Sequence, residues 1–370
     1  MKGRRRILWF AAVIAITALL ARYAQVAARR LVDRWEVPAS AFLGDETPYG
    51  DSARLVLDPH AGFRLRRHAE GAERSAPLGR PTEMTTTTWH GDAQGLMRSG
   101  DALQLVDGPR ILLCGDEQVF AGVDESARVA TLLQDALRAE GDRLAHATVI
   151  DASCPRSSLL HRTLRLPDLV KLYRPHVVIL VVSTGDDLVA FVDRSSPWLG
   201  PTFDVEHADA VPTEDVLGLG RRAMEVLPSA PGLWVRGLAQ REYAAAHPDF
   251  VARLPRLLDR CIAWARTTAP RGGLLLCLVP PADLARPTEV AAILPDALRT
   301  QLHDDVARDL HEQLAHSCER VHVGWVDALD ALAKTEGADV YRSNGCLGAA
   351  GHRTVAVLLA HRLRDTFRSL

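Results

Sequence analysis

Five short apolar runs, separated by stretches of helical periodicity, set the rhythm of the chain from residue 110 onward. The runs are Ile111–Cys114, Ala147–Asp151, His176–Ser183, Leu274–Val279 and Val321–Val326. Near-continuous apolar runs of this length are the pattern of strands covered on both faces. Between them the pattern predicts helices over Asp124–Glu140, Leu166–Tyr173 and Phe250–Thr267, within Pro295–Ser317, and over Gly351–Phe367. In the first of these, Val129, Leu132, Leu133 and Leu137 make the apolar stripe, and Asp124 reads as the N-cap. Strands alternating with helices predict an α/β fold with a parallel sheet.

The rest of the chain does not follow this rhythm. Residues 31–107 are punctuated by Pro38, Gly44, Pro48, Gly50, Pro77, Gly79 and Pro81 and lack a long periodic helix. They read as a stem, with strand-favouring residues from Glu83 to Trp89. About residues 192–249 form an insertion rich in Pro, Gly and Trp; long loops at the carboxyl end of a sheet often shape a site.

At the N-terminus, Lys2, Arg4, Arg5 and Arg6 precede an apolar run from Ile7 to Leu20, which continues past Arg22, Tyr23 and Gln25 to Ala28. That is close to the roughly 20 residues a helix needs to span a bilayer. The basic cluster stays on the cytoplasmic side, leaving the main domain periplasmic or extracellular. The segment reads as a single-pass membrane anchor over residues 1–30; a cleaved signal peptide is the alternative, disfavoured by the lack of a small-x-small site after Leu20. The remaining 108–370 form one domain.

Composition adds little beyond this. With 370 residues, 47% hydrophobic, there is enough chain for a large core. A net charge of -2 carries no basic field of the kind nucleic acid requires. Six cysteines allow 15 pairings, which sequence alone does not choose among. Cys114 and Cys277 lie in apolar strands and read as core thiols, while Cys261 and Cys318 fall on two predicted helices that would let them pair.

The candidate chemistry sits where the apolar runs end. The stretch Arg110 to Val123, RILLCGDEQVFAGV, is strand, tight turn at Gly115-Asp116-Glu117, then Gly122 before the helix. It resembles the first block of the SGNH (GDSL-type) hydrolases, in which Gly-Asp-Ser carries the catalytic serine, and the resemblance runs from Arg110 to Leu370. It implies a flavodoxin-like, three-layer, five-stranded parallel sheet, the SGNH hydrolase fold. Three further blocks are matched. Asp151-Ala152-Ser153-Cys154-Pro155 stands where the family has Asn then Gly, whose N–H feeds the oxyanion hole. Ser183-Thr184-Gly185-Asp186-Asp187 stands where it has Gly, Asn, Asp. Asn344-Gly345-Cys346 leads into Gly351-His352, where the family has Asp-x-x-His and then Gly-His.

The resemblance holds in the framework and departs at the chemistry. Glu117 occupies the serine position, and an ionised carboxylate is a poor nucleophile towards an ester. Asp186 accepts hydrogen bonds where the family's Asn donates one. Asn344 or a near neighbour stands at the orienting acid, and Cys346, with a reference pKa of about 8.5, at the base. Ser153 keeps a backbone N–H but restricts the backbone relative to Gly. Gly115, Asp116, Gly122, Gly185, Asp187 and His352 match scaffold positions. Cys154 and Cys346 fall in loops that the resemblance puts on one face, within reach of a bridge. Glu117 facing Asp186 would raise one carboxyl pKa or recruit a cation or an arginine. Without a histidine cluster no metal or other cofactor is expected.

Three readings follow. The first is a catalytically degenerate SGNH hydrolase-like protein at the cell envelope, binding an acyl, glycan or lipid ligand or a protein partner. The second is an active esterase or acyltransferase with altered residues, Cys346 being the nucleophile. The third is a scaffold beside an envelope acyltransferase in polysaccharide acetylation.

Overall fold

In a computed structural model of the chain, the described residues are 55–58, 62–80, 82–97, 107–155, 157–185, 187, 241, 244, 248–270, 273–293 and 304–369, with 16, 17, 20, 22 and 23 near the N-terminus. Most of the expected anchor (Ile7 to Ala28), most of the expected insertion and Asp186 lie outside them. Among the described residues no helix is long and apolar enough to cross a membrane.

The stem folds as two antiparallel hairpins: β1 (Leu55–Asp58) with β2 (Gly62–Leu65), and β3 (Glu70–Ser75) with β4 (Thr85–His90). Only β4 carried a strand signal in the sequence. The alternation of β3, with Glu and Arg on its outer face and Gly71 and Ser75 buried, offers no large apolar residue to read.

From Arg110 the chain builds one parallel sheet. Its strands are β5 (Arg110–Cys114), β6 (Thr148–Asp151), β7 (Val177–Ser183), β8 (Leu274–Val279) and β9 (Gly324–Asp327), in the order β6-β5-β7-β8-β9. This is the flavodoxin-like doubly wound order. The pleat deals alternate side chains to two cores. Ile111, Leu113, Ile179, Val181, Leu275 and Cys277 face one. Leu112, Cys114, Leu180, Val182, Leu276 and Leu278 face the other. Continuous apolarity in these strands is therefore two interleaved faces, each covered by helices.

The helices among the described residues are α1 (Glu117–Phe120), α2 (Val129–Ala139), α3 (Leu159–Tyr173), α4 (Pro248–Thr268), α5 (Ala282–Ala285), α6 (Pro287–Ile293), α7 (Asp304–Arg320), α8 (Leu329–Lys334) and α9 (Ala349–Ser369). Residues of α2 and α9 join the first core, and residues of α3, α4 and α7 the second.

One expectation is corrected. Asp124 does not cap α2: it precedes a short 3-10 turn, Glu125–Ala127, with no side-chain capping bond, and α2 starts four residues later at Val129. The first N–H of α2 is satisfied across the fold instead, donating to His352 Nδ1 at 3.2 Å. A tertiary acceptor removes the need for a local cap.

The β3–β4 hairpin of the stem is clamped to the loop before α9. Arg342 donates through Nε to Ser75 Oγ (3.1 Å), through Nη2 to Ser75 O (2.8 Å) and Thr85 Oγ1, and through Nη1 to Asp339 (2.9 Å). Ser343 N donates to Ala76 O (2.7 Å), and Leu78 N to Tyr341 O (2.7 Å).

Candidate functional site

β5 delivers Gly115-Asp116-Glu117 at its carboxyl end. A Cβ on Gly115 would lie 2.1 Å from Val119 Cγ2, so the turn into α1 closes only on glycine. Asp116 caps α1, its Oδ1 accepting from Gln118 N at 2.9 Å. Gly122 leaves this block with a φ of +77°, and a Cβ there would meet Arg342 Cγ at 2.8 Å and Leu347 O at 2.9 Å. Both glycines are thus fixed by sterics and close approach.

Asp116 and Asp187 share one cation that sequence reasoning missed. Arg162, on α3, donates to Asp187 at 2.7 and 2.9 Å and lies 3.5 Å from Asp116 Oδ2, all three buried. It also donates to Ser157 Oγ (3.1 Å) and to the carbonyls of Val181 and Ser157. An arginine inside a helix is ordinarily read as solvated. The usable signal was the pair of aspartates at two strand ends, which need a counter-charge when buried.

At the second block, Ser153 N donates to Asp151 Oδ1 at 3.0 Å and Cys154 N to Gly115 O at 3.0 Å. Ser153 does not adopt a positive φ, so a non-glycine residue is accommodated. Burial pushes the Asp151 carboxyl up to about 6, against the pull of the Ser153 hydrogen bonds and the Arg128 charge. Burial likewise pushes the Cys154 thiol up to about 11; Arg165 opposes this and the charge of Glu117 adds to it. Glu117 itself is half-exposed.

The last block is tied to the first by one amide. Gln118 Nε2 donates to Gly345 O (3.0 Å), and its Oε1 accepts from Leu347 N (2.9 Å). Asn344 turns away from any imidazole: its Nδ2 donates to Glu73 of β3 (3.2 Å) and its Oδ1 accepts from Cys346 N (3.2 Å). Cys346 is 3% exposed. It lies in an apolar cluster with Cys154, Phe120 and Ala121, together with Leu55, Leu65, Ala69, Trp89 and Met97 of the stem. Trp89 meets Phe120 edge-on at 5.6 Å and 70°. The stem therefore lies over the position that the resemblance gives to the general base.

His352 is buried and bonded to backbone groups through both ring nitrogens. Nε2 donates to Ala121 O (3.0 Å), which leaves Nδ1 to accept from Val129 N. Burial lowers its pKa to about 4. The imidazole is neutral and used on both sides.

Glu117 and Ser153 thus follow the ends of β5 and β6, and Cys346, bonded to Asn344, shares an apolar cluster with Cys154, the residue after Ser153; Asp186 lies outside the described residues. All six cysteines are buried and none is in a disulfide, so neither Cys154–Cys346 nor Cys261–Cys318 is bridged. Cys261 Sγ instead donates to Thr163 Oγ1 at 3.3 Å. Among the described residues no group of three or more His, Cys, Asp or Glu is placed to hold a metal ion. Among the described residues two hydroxyl–imidazole contacts occur, one of them inside the third matched block. Ser158 Oγ and His161 Nδ1, 2.8 Å apart, are the capping box of α3. Thr184 Oγ1 and His311 Nδ1 are 3.0 Å apart at the end of β7.

No family model matches the chain, and no curated protein matches it. Solved structures similar to it include a lipase/acylhydrolase from Enterococcus faecalis, at 13% identity and a TM-score of 0.41, covering 70% of this chain and 96% of that one. An acetyl xylan esterase is similar at 15% identity and a TM-score of 0.42, covering 69% and 99%. An aryl esterase from M. smegmatis is similar at 18% identity and a TM-score of 0.36, covering 70% and 100%. The chain's own parallel sheet, in the order β6-β5-β7-β8-β9 with the matched blocks at its strand ends, is the α/β fold that the SGNH resemblance implies.

Proposed function

We propose that the chain is an SGNH hydrolase-like protein of the cell envelope whose ester-cleaving position is silent, and that the domain serves binding instead. Its ligand class is an acyl, glycan or lipid group, or a protein partner such as an envelope acyltransferase. One observation carries the reading: Cys346, at the position of the family's base, is 3% exposed and belongs to one buried apolar cluster with Trp89 and Met97 of the stem. A thiol in that setting neither takes a proton from a neighbouring hydroxyl nor meets a substrate. Glu117 at the serine position supports the same reading, since a carboxylate there repels a developing oxyanion. The altered-residue esterase reading needs Cys346 as an accessible thiolate, and its burial argues against that.

The test is hydrolysis of p-nitrophenyl acetate by the purified full chain. Activity lost on Glu117→Ala or Cys346→Ala overturns the proposal. The expected result is that neither substitution changes the rate. Glu117→Ser with Cys346→His is expected to stay inactive while the stem covers the position. The anchor is tested separately: deleting residues 2–30 is expected to move the protein from the membrane to the soluble fraction.

A further inference from the structure

The two helices α3 and α4 lie side by side over one face of the sheet. Both bury their inner residues in the second core, and Cys261 Sγ of α4 donates to Thr163 Oγ1 of α3 at 3.3 Å. α3 leads into β7 and α4 into β8, which are parallel neighbours, so both helices end at the amino edge of the sheet. Their outer surface there is basic. Arg256, Arg260 and Trp264 follow one another at four-residue spacing, one stripe of α4, and all three are exposed. Arg266 is exposed two residues on, and Lys171, Leu172 and Arg174 are exposed at the end of α3.

Two acids lie among these cations. Asp259 is held by Arg320 of α7 at 2.9 and 3.0 Å, and Asp168 stands one turn before Leu172. Arg266 Nη1 donates to the neutral Val321 carbonyl at 2.6 Å, which leaves its charge in place. The chain as a whole carries -2, so the positive excess belongs to this face and not to the composition. Leu172, 65% exposed, and Trp264, 38% exposed, are two of the three large apolar side chains that residues 108–370 expose among those described; the third is Val357.

The mixture selects the partner. A protein interface has an apolar centre from which charge is depleted. Here each apolar side chain stands beside cations, and the face has no charge-free centre. A leucine and a tryptophan set among Lys and Arg fit a bilayer surface: the apolar groups enter the headgroup layer while the long basic side chains meet lipid phosphates. We propose that this α3–α4 face docks on an anionic phospholipid surface. The contact is electrostatic with two shallow insertions, so it is reversible and screened by salt. It orients a chain tethered through residues 1–30 and does not hold the chain without them. Docking by this end leaves the carboxyl ends of the strands, with the matched blocks, clear of the lipid.

The experiment mixes the full chain with vesicles of brominated lipid, either phosphatidylcholine alone or with about one-third phosphatidylglycerol. Bromine quenches a tryptophan that enters the lipid layer. The readout is the part of the quenching that Trp264→Phe removes, which sets aside the other tryptophans, Trp9 of the expected anchor included. That part is expected with phosphatidylglycerol, absent with phosphatidylcholine alone and suppressed by raised salt. Arg256→Gln with Arg260→Gln is expected to lower the ratio of docked to undocked protein about 30-fold, from about 1 kcal/mol for each basic residue at an anionic surface and about 1.4 kcal/mol per tenfold. No Trp264 component, an equal component with both vesicles, or no loss in the double variant overturns the proposal. An emission change at Trp264 with poly-glutamate but not with the anionic vesicles gives the face to an acidic protein and also overturns it. The substituted side chains are exposed, and unchanged urea midpoints establish that the variants are folded. The outcome is independent of the ester-cleavage test, which reads Glu117 and Cys346.

Discussion

Arg162 holds Asp187 through two hydrogen bonds of 2.7 and 2.9 Å, and the same guanidinium stands 3.5 Å from Asp116. The turn after β5 and the turn after β7 are thus joined through one buried cation. Replacing it strands two carboxylates in a low-dielectric site. Arg162→Met is expected to destabilise the fold by about 3–5 kcal/mol. The measurement is urea unfolding, with a lower midpoint at an unchanged slope. Arg162→Lys recovers only part, because an ammonium lacks the planar fork.

Gln118 closes the first block onto the last. Gln118→Leu keeps the volume and removes both hydrogen bonds, leaving Gly345 O and Leu347 N unsatisfied. At about 1–3 kcal/mol for each orphaned buried group, a loss of roughly 2–4 kcal/mol is expected. Amide exchange at Leu347 reads the same change locally and should accelerate. Unchanged exchange at that amide would contradict the role given to Gln118.

His352 and Asp151 make opposing contributions to stability over the same pH range. His352 has its folded pKa lowered from 6.5 to about 4. Its contribution is complete above the unfolded value and is lost as pH falls towards 4, about 3 kcal/mol at about 1.4 kcal/mol per pH unit. Asp151 is raised from 3.8 to about 6. Its contribution is complete below the unfolded value and is lost as pH rises through 6, again about 3 kcal/mol. The stability gap between wild type and His352→Gln should therefore widen from pH 4 to 6.5. The gap between wild type and Asp151→Asn should shift the other way, towards the variant. Urea midpoints at stepped pH check both, and parallel curves would contradict the linkage.

Trp89 packs edge-on against Phe120 in the buried apolar cluster that also holds Cys154 and Cys346. In the native protein both thiols are expected to resist iodoacetamide. Trp89→Ala is expected to cost about 3–5 kcal/mol and to open the cluster. Alkylation of Cys346 should then accelerate more than about tenfold, since an opening eased by 1.4 kcal/mol already gives that factor. Ready alkylation of native Cys346 would revive the thiolate-enzyme reading.

The sheet was legible because β5 to β8 are near-continuous apolar runs buried on both faces, whereas the edge strand β9, every residue of it only half-buried, begins at Gly324, three residues after the expected Val321. The hairpins were not: β1 and β2 are four residues each, and β3 buries only small side chains. Glu117, Ser153, Asn344 and Cys346 were found through the block pattern at strand ends. The roles of Arg162 and Gln118 were invisible to it, since each owes its role to partners brought in by the fold. The Asp124 cap failed for a related reason: His352, 223 residues away from Val129, supplies the acceptor that a local side chain would otherwise give.

The Arg342 clamp also imposes a timetable. Arg342 follows Ser75 by 267 residues, so at about 5–20 residues per second the ribosome delivers it roughly 15–50 s after the hairpin it fastens. Until then the hairpin rests on its other ties, Arg128 Nη2 donating to Thr88 O at 2.9 Å and Trp89 packed edge-on against Phe120. A nonsense mutation just upstream of Arg342 would leave all five strands of the sheet intact and still release a chain whose hairpin edge lacks its fastening, so that solubility is decided only after the sheet itself is complete.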